Sequence, residues 1–219
     1  PDDDEFGWQR NRMYTLRWPP PGQRDQKNNW CDGDEEAVVN GVVGYASQNP
    51  AEDRGFIDIG VEPGGGGSSF IRQAIVSNVQ SKPLAIGDVI IGAPGNRGTE
   101  SDALRERFGQ DSDTSSEIYA DYMAKINNPS YIGALGNNRR FVVVPVNNPA
   151  NDVVVGFAGF FIHDDICSNG GDSLTGNGNS GGGGGNVETC CAEFVGAAVV
   201  GGGRGSGENS KAVAIKLFK

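Results

Sequence analysis

The sequence is poor in the side chains that catalysis and nucleic-acid binding most often use. It contains a single histidine, His163, and its 18 lysines and arginines are outnumbered by 28 aspartates and glutamates, so the formal net charge is −10. Binding to phosphate backbones draws its affinity from clustered basic side chains, and the basic residues here are scattered. The charge therefore argues against a nucleic-acid partner, whereas an acidic surface favours solubility, cation binding or contact with a basic partner.

Long apolar stretches are also missing. No run approaches the roughly 18 residues that a membrane-spanning helix requires, so no transmembrane segment is predicted. The chain begins with Pro1-Asp2-Asp3-Asp4-Glu5, which is the opposite of the basic start of a signal peptide. We therefore expect a processed form from which an export signal or a membrane anchor has been removed.

Glycine, by contrast, is abundant. The 219 residues include 35 glycines, far above the usual share of about 7%. Because 37% of the residues are hydrophobic, a packed core is still expected. The composition predicts a folded body that carries glycine-rich loops at residues 168–186 and 201–209. These loops are either disordered linkers or close-packed segments in which backbones touch.

Four cysteines, Cys31, Cys167, Cys190 and Cys191, follow neither a zinc-knuckle nor a redox C-x-x-C spacing. Disulfides are the better interpretation. A bond between the adjacent Cys190 and Cys191 would strain the peptide between them, so Cys31 and Cys167 are each expected to bond to one of that pair. Two such bonds imply an oxidising compartment, and hence a protein that is extracellular or exposed at the cell surface after export through the periplasm.

Hydrophobic periodicity predicts the secondary structure, with Ser68-Ser69 and Thr99 as candidate helix caps. The predicted strands are residues 13–18, 55–61, 88–91, 140–146, 153–162, 193–200 and 211–218, and the predicted helices are residues 70–78, 103–108 and 115–126. The fold class is therefore α+β, a predominantly antiparallel β-sheet with a few short helices and long glycine-rich loops. Residues 1–219 are expected to form one extracytoplasmic domain with an N-terminal arm at residues 1–36.

The strongest strand signals are residues 140–146 and 153–162, which predict a central β-hairpin. Gly156 and Gly159 interrupt the second of these strands. Glycine inside a strand indicates a bulge or the close approach of a neighbouring element.

The order of several short segments along the chain carries a family resemblance. The segments are Arg54-Gly55-Phe56-Ile57-Asp58-Ile59, Gly64 to Gly67, Ile86-Gly87-Asp88-Val89-Ile90, Pro94-Gly95-Asn96, Val142-Val143-Val144-Pro145-Val146 and Val154-Val155-Gly156-Phe157-Ala158. In this order they resemble the extracytoplasmic part of TadE/TadG-like proteins, which belong to Tad/Flp pilus assembly. The resemblance implies a structural role in the bacterial envelope and supplies no catalytic residues.

The residues themselves also predict no catalytic site. His163 precedes Asp164-Asp165, and a histidine beside carboxylates can act as a general base or a metal ligand. However, no G-x-S-x-G elbow is present, and packing at the end of a strand is the preferred interpretation of His163. A hydrolase is retained only as a third class of function.

Calcium is the most credible cofactor if any is bound, because it prefers several oxygen ligands on flexible loops. The predicted calcium ligands are Asp32, Asp34, Glu35, Asp164, Asp165 and Asp172, and Asp111 with Asp113 is a further acidic pair. None of these clusters forms a complete twelve-residue calcium loop, so solvated acidic loops are the preferred interpretation.

The sequence as a whole favours a non-enzymatic structural protein of the bacterial cell surface, either associated with a pilus or a subunit of an extracellular filament. Its expected partners are copies of itself or other pilus and envelope proteins. The terminal strand, through Lys211, Val213, Ile215 and Leu217, could join a neighbouring sheet edge. The alternative is a calcium-dependent adhesion or glycan-binding module that stacks sugars on Trp8, Trp18 and Trp30, although burial of these rings is the preferred interpretation.

Overall fold

A computed structural model of the chain describes residues 6–17, 31, 53–57, 68–77, 84–90, 92–94, 98–148, 150–164, 190–198 and 217–218. The strands are β1 (Met13–Arg17), β2 (Asp53–Ile57), β3 (Gly92–Pro94), β4 (Phe141–Asn148), β5 (Val153–Ile162), β6 (Cys190–Ala197) and β7 (Leu217–Phe218). The helices are α1 (Ser68–Ser77), α2 (Gly98–Gly109) and α3 (Tyr119–Ile126). An α+β fold with short helices is confirmed, while the predicted glycine-rich loops at 168–186 and 201–209 lie outside the described residues.

The main sheet has the strand order β1-β6-β5-β4-β7. The first four strands in this order pair antiparallel, as the sequence predicts. β7 differs, because it pairs parallel to β4 through Val146 with Leu217 and Asn147 with Phe218. A parallel pairing needs a long connection, which the chain between β6 and β7 has the length to provide. β2 and β3 form a separate antiparallel pair.

The central hairpin of β4 and β5 is confirmed, with pairing from Phe141–Phe161 at one end to Asn148–Val153 at the other. The predicted close approach at both glycines is confirmed too. A β-carbon added at Gly156 would collide with the ring of Phe6, and one added at Gly159 would lie 2.7 Å from the ring of Phe141. Small residues in β5 therefore allow aromatic rings to cross the strand.

The helices begin elsewhere than predicted. α1 starts at Ser68, so Ser68-Ser69 form its first turn and do not precede it. α2 starts at Gly98, five residues before the predicted 103–108 helix. α3 starts at Tyr119 instead of residue 115. The Asp113 carboxylate binds the backbone N–H groups of Ser115 and Ser116, which holds these residues in a turn before the helix.

The predicted strand at residues 88–91 forms only an isolated bridge, between Val89 and Val153. The segment around it lies beside the first residues of β5, where Gly87 N–H donates to Val154 O and Val154 N–H donates to Asp88 O. β3 lies just beyond the predicted strand, at Gly92–Pro94. The segment around Val89 therefore does pair with the main sheet. It pairs with the first residues of β5, whereas β6 pairs with β5 from Ala158 onward.

The hydrophobic core lies between the main sheet and helices α1 and α2. Its buried residues include Leu16, Ile57, Ile71, Ala74, Ile75, Ala103, Leu104, Val142, Val144, Val146, Val154, Phe160, Ile162 and Phe194. Arg107 fastens α2 to both neighbours, since it donates to Ile75 O in α1 and to Phe141 O in β4. Burial, with the nearby charge of Arg139, lowers the pKa of Arg107 to about 10 even though Asp111 opposes the shift.

In the described part of the chain, no helix is long and apolar enough to cross a membrane.

Candidate functional site

Most of the buried charged side chains of the described residues gather where the segment between α2 and α3 meets the start of β4 and the end of β5. The polar residues of this buried cluster are Asp111, Asp113, Tyr122, Lys125, Arg140, His163 and Glu193. Burying charge is unfavourable unless the charge is paired or hydrogen-bonded. Their contacts therefore decide whether the cluster serves chemistry or the fold.

Asp111 is 5% exposed and organises the chain around it. Its carboxylate accepts hydrogen bonds from the backbone N–H groups of Asp113 at 2.9 Å, Asn137 at 3.3 Å and Arg140 at 3.0 Å. The Tyr122 hydroxyl donates to the same carboxylate at 3.1 Å. The Asp111 carboxylate thus links the segment between α2 and α3, helix α3 and the loop before β4 to Arg140, the residue that precedes β4. Groups of the protein itself occupy the hydrogen-bonding positions of its oxygens.

Tyr122 is equally enclosed. Its hydroxyl accepts from Asn138 N–H at 2.9 Å while donating to Asp111. Burial and the neighbouring Asp111 carboxylate raise the pKa of Tyr122 to about 12, although the Asn138 hydrogen bond and Arg140 act in the opposite direction. A β-carbon at Gly136 would collide with this hydroxyl, so the loop before β4 can pass Tyr122 only with glycine at that position.

Asp113 is the most strongly stabilised anion of the cluster. It accepts from the backbone and hydroxyl of Ser115, from the backbone and hydroxyl of Ser116, and from Lys125 Nζ at 3.0 Å. Burial disfavours the charged form, but the hydrogen bonds from Ser116, Lys125 and Ser115 outweigh it and hold the pKa of the Asp113 carboxyl well below its usual range.

The depressed pKa of Asp113 predicts a loss of stability in acid. The unfolded carboxyl titrates near pH 3.9, so the native state binds fewer protons there, and the stabilisation is complete above that pH and lost as the pH falls. About 1 kcal/mol of it should be lost by pH 3. Urea unfolding from pH 7 to pH 3 should show a flatter pH dependence for Asp113→Asn than for the native protein. Asp102→Asn, at an exposed carboxylate, is the matched control and should follow the native curve.

Arg140 occupies the centre of the cluster at 1% exposure. Its Nε donates to Ile162 O at 2.8 Å and its Nη1 donates to Asp113 O at 3.1 Å. The guanidinium carbon lies 4.2 Å from the ring centroid of Phe161 and 4.8 Å from that of Phe108. Burial lowers the pKa of Arg140, and the nearby Asp111 and Asp113 carboxylates oppose the shift. The guanidinium therefore binds backbone oxygens and aromatic faces from several elements.

His163 and Glu193 form the second part of the cluster. His163 Nε2 lies 3.1 Å from Glu193 Oε2, and the same oxygen accepts from Tyr119 N–H at 2.8 Å. Glu193 thereby places a carboxylate at the N-terminus of α3, where negative charge is favourable. Its other oxygen, Oε1, is buried and has no hydrogen-bond partner among the described residues. His163 is 8% exposed at the end of β5, so its predicted packing at a strand end is confirmed.

The predicted cysteine chemistry is confirmed where the structure describes it. Cys31 and Cys191 form a disulfide across a sequence separation of 160, and both residues are buried beside Met13. Cys190 is disulfide-bonded as well, whereas Cys167, its predicted partner, lies outside the described residues. Neighbouring residues of a strand face opposite sides of a sheet. Cys190 accordingly lies in the main core, with its sulfur 3.5 Å from Ser101 Oγ.

The predicted calcium ligands are mostly beyond the described part of the chain: Asp32, Asp34, Glu35, Asp165 and Asp172. Asp164 is described and exposed. Asp111 and Asp113 do lie together, but N–H and O–H donors of the protein bind both carboxylates. Among the described residues, no group of three or more His, Cys, Asp or Glu side chains is arranged to hold a metal ion.

Two further predictions concern the tryptophans and the residues of the terminal strand. Trp8 is 7% exposed and its ring packs against those of Tyr14, Phe160 and Phe194, so its burial is confirmed; Trp18 and Trp30 lie outside the described residues. Of the predicted interface residues, Leu217 lies in β7 beside β4. Lys211, Val213 and Ile215 fall outside the described residues.

The sequence did not predict the roles of Arg140, Tyr122 and Glu193. The only available signal was a pair of basic residues immediately before the strongest apolar run, and an arginine at that position is more often exposed. Comparisons with protein-family models, curated proteins and solved structures returned no match.

Proposed function

We propose that this chain is a non-enzymatic structural protein of the bacterial cell surface, associated with a pilus or forming a subunit of an extracellular assembly. The observation that carries the proposal is the buried disulfide between Cys31 and Cys191. Disulfides persist in oxidising compartments and are rare in the cytosol. This bond fastens the N-terminal arm to a strand in the interior of the sheet, which suits a protein that must survive outside the cell.

The buried cluster supports a structural role over a catalytic one. A general base must reach substrate, whereas the contacts of Asp111, Asp113 and Arg140 are with groups of the protein itself. These contacts hold the segment between α2 and α3 against the hairpin. The cluster is therefore assigned to fastening the fold.

The resemblance to TadE/TadG-like proteins supports the pilus association. Two of the resembling segments, residues 142–146 and 154–158, lie on paired strands of the central hairpin. The adhesion alternative is weakened in one respect, because the buried Trp8 cannot offer its face to a sugar.

Electron microscopy of the native protein at neutral pH, with and without a calcium chelator, tests the proposal. Regular fibres or sheets that persist with chelator are the expected result for a self-assembling structural protein. Particles that appear only with calcium would favour the adhesion module. Dispersed monomers in both conditions would contradict self-assembly and leave an accessory role in pilus assembly as the form to test, by co-purification with envelope proteins.

A further inference from the structure

Five large hydrophobic side chains in the described part of the chain are exposed, and the fold arranges them in two groups, since the bridge between Val89 and Val153 places Ile86 and Val89 near Val155. Their exposed fractions are 69% for Ile86, 67% for Val89, 102% for Ile132, 47% for Leu135 and 39% for Val155. Singly exposed hydrophobic residues are ordinary, but grouped ones mark interaction surfaces. We name residues 127–138, which carry Ile132 and Leu135, the apolar loop, and we name Ile86, Val89 and Val155 the apolar patch.

The apolar loop is held rigidly at its base. Leu135 O accepts from the Ser112 hydroxyl at 2.6 Å, Asn137 N–H donates to Asp111, and Asn138 N–H donates to Tyr122. Two of these anchors belong to the buried cluster. The loop therefore presents Ile132 on a fixed support, so covering this side chain would cost little conformational entropy.

The apolar patch lies where the segment of residues 86–89 meets the start of β5. Val89 forms a backbone bridge with Val153 at the start of β5, which brings it beside Val155. Ile86 lies on the same segment, where the backbone of Gly87 is hydrogen-bonded to Val154. The isolated bridge and the hydrogen bonds beside it thus fix the segment of Ile86 and Val89 next to the start of β5.

The two surfaces belong to opposite ends of the hairpin. The apolar loop ends three residues before Phe141, which pairs with Phe161, whereas the apolar patch adjoins the Asn148–Val153 end. At about 3.3 Å per residue, the six-residue step from Val155 to Phe161 covers about 20 Å. A molecule with complementary surfaces at opposite ends associates head to tail and leaves a free surface at each end of the product.

Charge agrees with this arrangement. The apolar loop contains no charged residue and is followed directly by Arg139, whose Nη1 donates to Val76 O at 3.0 Å. Asp88 and Asp152 border the apolar patch, and one oxygen of each carboxylate accepts a hydrogen bond within the chain, from Ala85 N–H and from Asn147 Nδ2. Copies of a chain with a net charge of −10 repel one another in general. A contact that brings an uncharged loop and an arginine toward two carboxylates is the orientation that reduces this repulsion.

We infer that the apolar loop of one copy docks on the apolar patch of the next, which produces an open head-to-tail chain. The inference rests on the proposed self-assembly and names the contact responsible for it. Ile132 is the central side chain of the contact. Arg139 adds positive charge on the side of the apolar loop, and Asp88 and Asp152 add negative charge on the side of the apolar patch.

Two single variants and their mixture test the contact on the full chain. Ile132→Asp removes the apolar loop's anchor, and Val89→Asp places a charge in the apolar patch. Each alone should raise the concentration needed for assembly at least about tenfold, because burial of one large aliphatic side chain contributes that much affinity. Gln73→Glu adds the same negative charge on an exposed position of α1 and is the matched control. All three should keep the native melting temperature, since the replaced side chains are exposed.

The equimolar mixture separates a head-to-tail contact from a symmetric one. The Val89→Asp protein retains an intact apolar loop and the Ile132→Asp protein retains an intact apolar patch, so the mixture should form dimers and stop there in analytical ultracentrifugation. A mixture that stays monomeric would overturn the head-to-tail contact. Native protein that assembles while both variants assemble equally well would overturn this inference and leave the proposed function standing. Native protein that stays monomeric at every concentration would overturn self-assembly and this contact together.

Discussion

Replacing Arg140 with alanine is expected to lower the free energy of unfolding by about 3–5 kcal/mol, because it removes one partner of a buried group of charges. Two backbone oxygens, those of Ile162 and Asp113, would lose their donor. The Asp111 and Asp113 carboxylates would also lose a nearby buried positive charge, and a cavity would open between Phe108 and Phe161. Denaturant unfolding at pH 7, monitored by tryptophan fluorescence, measures the change.

Two companion variants sharpen the Arg140 result. Arg140→Lys keeps the charge but lacks the planar fork that makes two hydrogen bonds while stacking on rings, so an intermediate loss is expected. Arg105→Ala, on the exposed side of α2 beside Asp102, should change the free energy of unfolding by no more than about 0.5 kcal/mol. An Arg140→Ala protein as stable as the Arg105→Ala protein would contradict the role assigned to the buried guanidinium.

The second large effect is expected at the disulfide. Replacing Cys31 and Cys191 together with alanine should cost about 2–5 kcal/mol, with the upper end favoured because the bond spans a sequence separation of 160. Cross-linking distant residues restricts the unfolded chain most, so the loss should be seen mainly as a lower denaturation midpoint. The double variant leaves Cys167 and Cys190 available to each other.

Loss of packing must be separated from loss of the cross-link. Met13 lies in one buried cluster with both cysteines, and Met13→Leu changes the packing of that cluster at nearly constant volume, for less than about 1.5 kcal/mol. If the double cysteine variant were no less stable than Met13→Leu, the disulfide would contribute little beyond its packing. Mass spectrometry of the native protein under non-reducing conditions confirms which form is being unfolded.

The elements that the sequence predicted well are those whose signal is local. The hairpin follows from two runs of valine and aromatic residues on either side of an Asn-Pro turn, and its strands occur within one or two residues of their predicted bounds. The two glycines of β5 likewise predicted the close approach of a neighbouring element, because glycine inside a strand indicates a bulge or such an approach.

The elements that the sequence mispredicted depend on distant partners. α3 begins at Tyr119 for two reasons: Asp113 binds the backbone N–H groups of Ser115 and Ser116, and the first backbone N–H of the helix is bound by Glu193, 74 residues further along the chain. No local pattern contains that contact. In the same way, the burial of Arg140 depends on rings from α2, α3 and β5, and the donors that bind the acidic pair Asp111 and Asp113 come from several elements of the fold.

The covalent link between Cys31 and Cys191 also decides which parts of the chain would carry tension. A force applied at the two termini would pass from residue 1 to Cys31, cross the sulfur bridge, and continue from Cys191 to residue 219. Residues 32–190, which include the three helices and the whole hairpin, would lie outside this loaded path. Stretching would thus strip β1, β6 and β7 from the sheet before it could extend the hairpin, because the disulfide keeps the hairpin outside the path of the force.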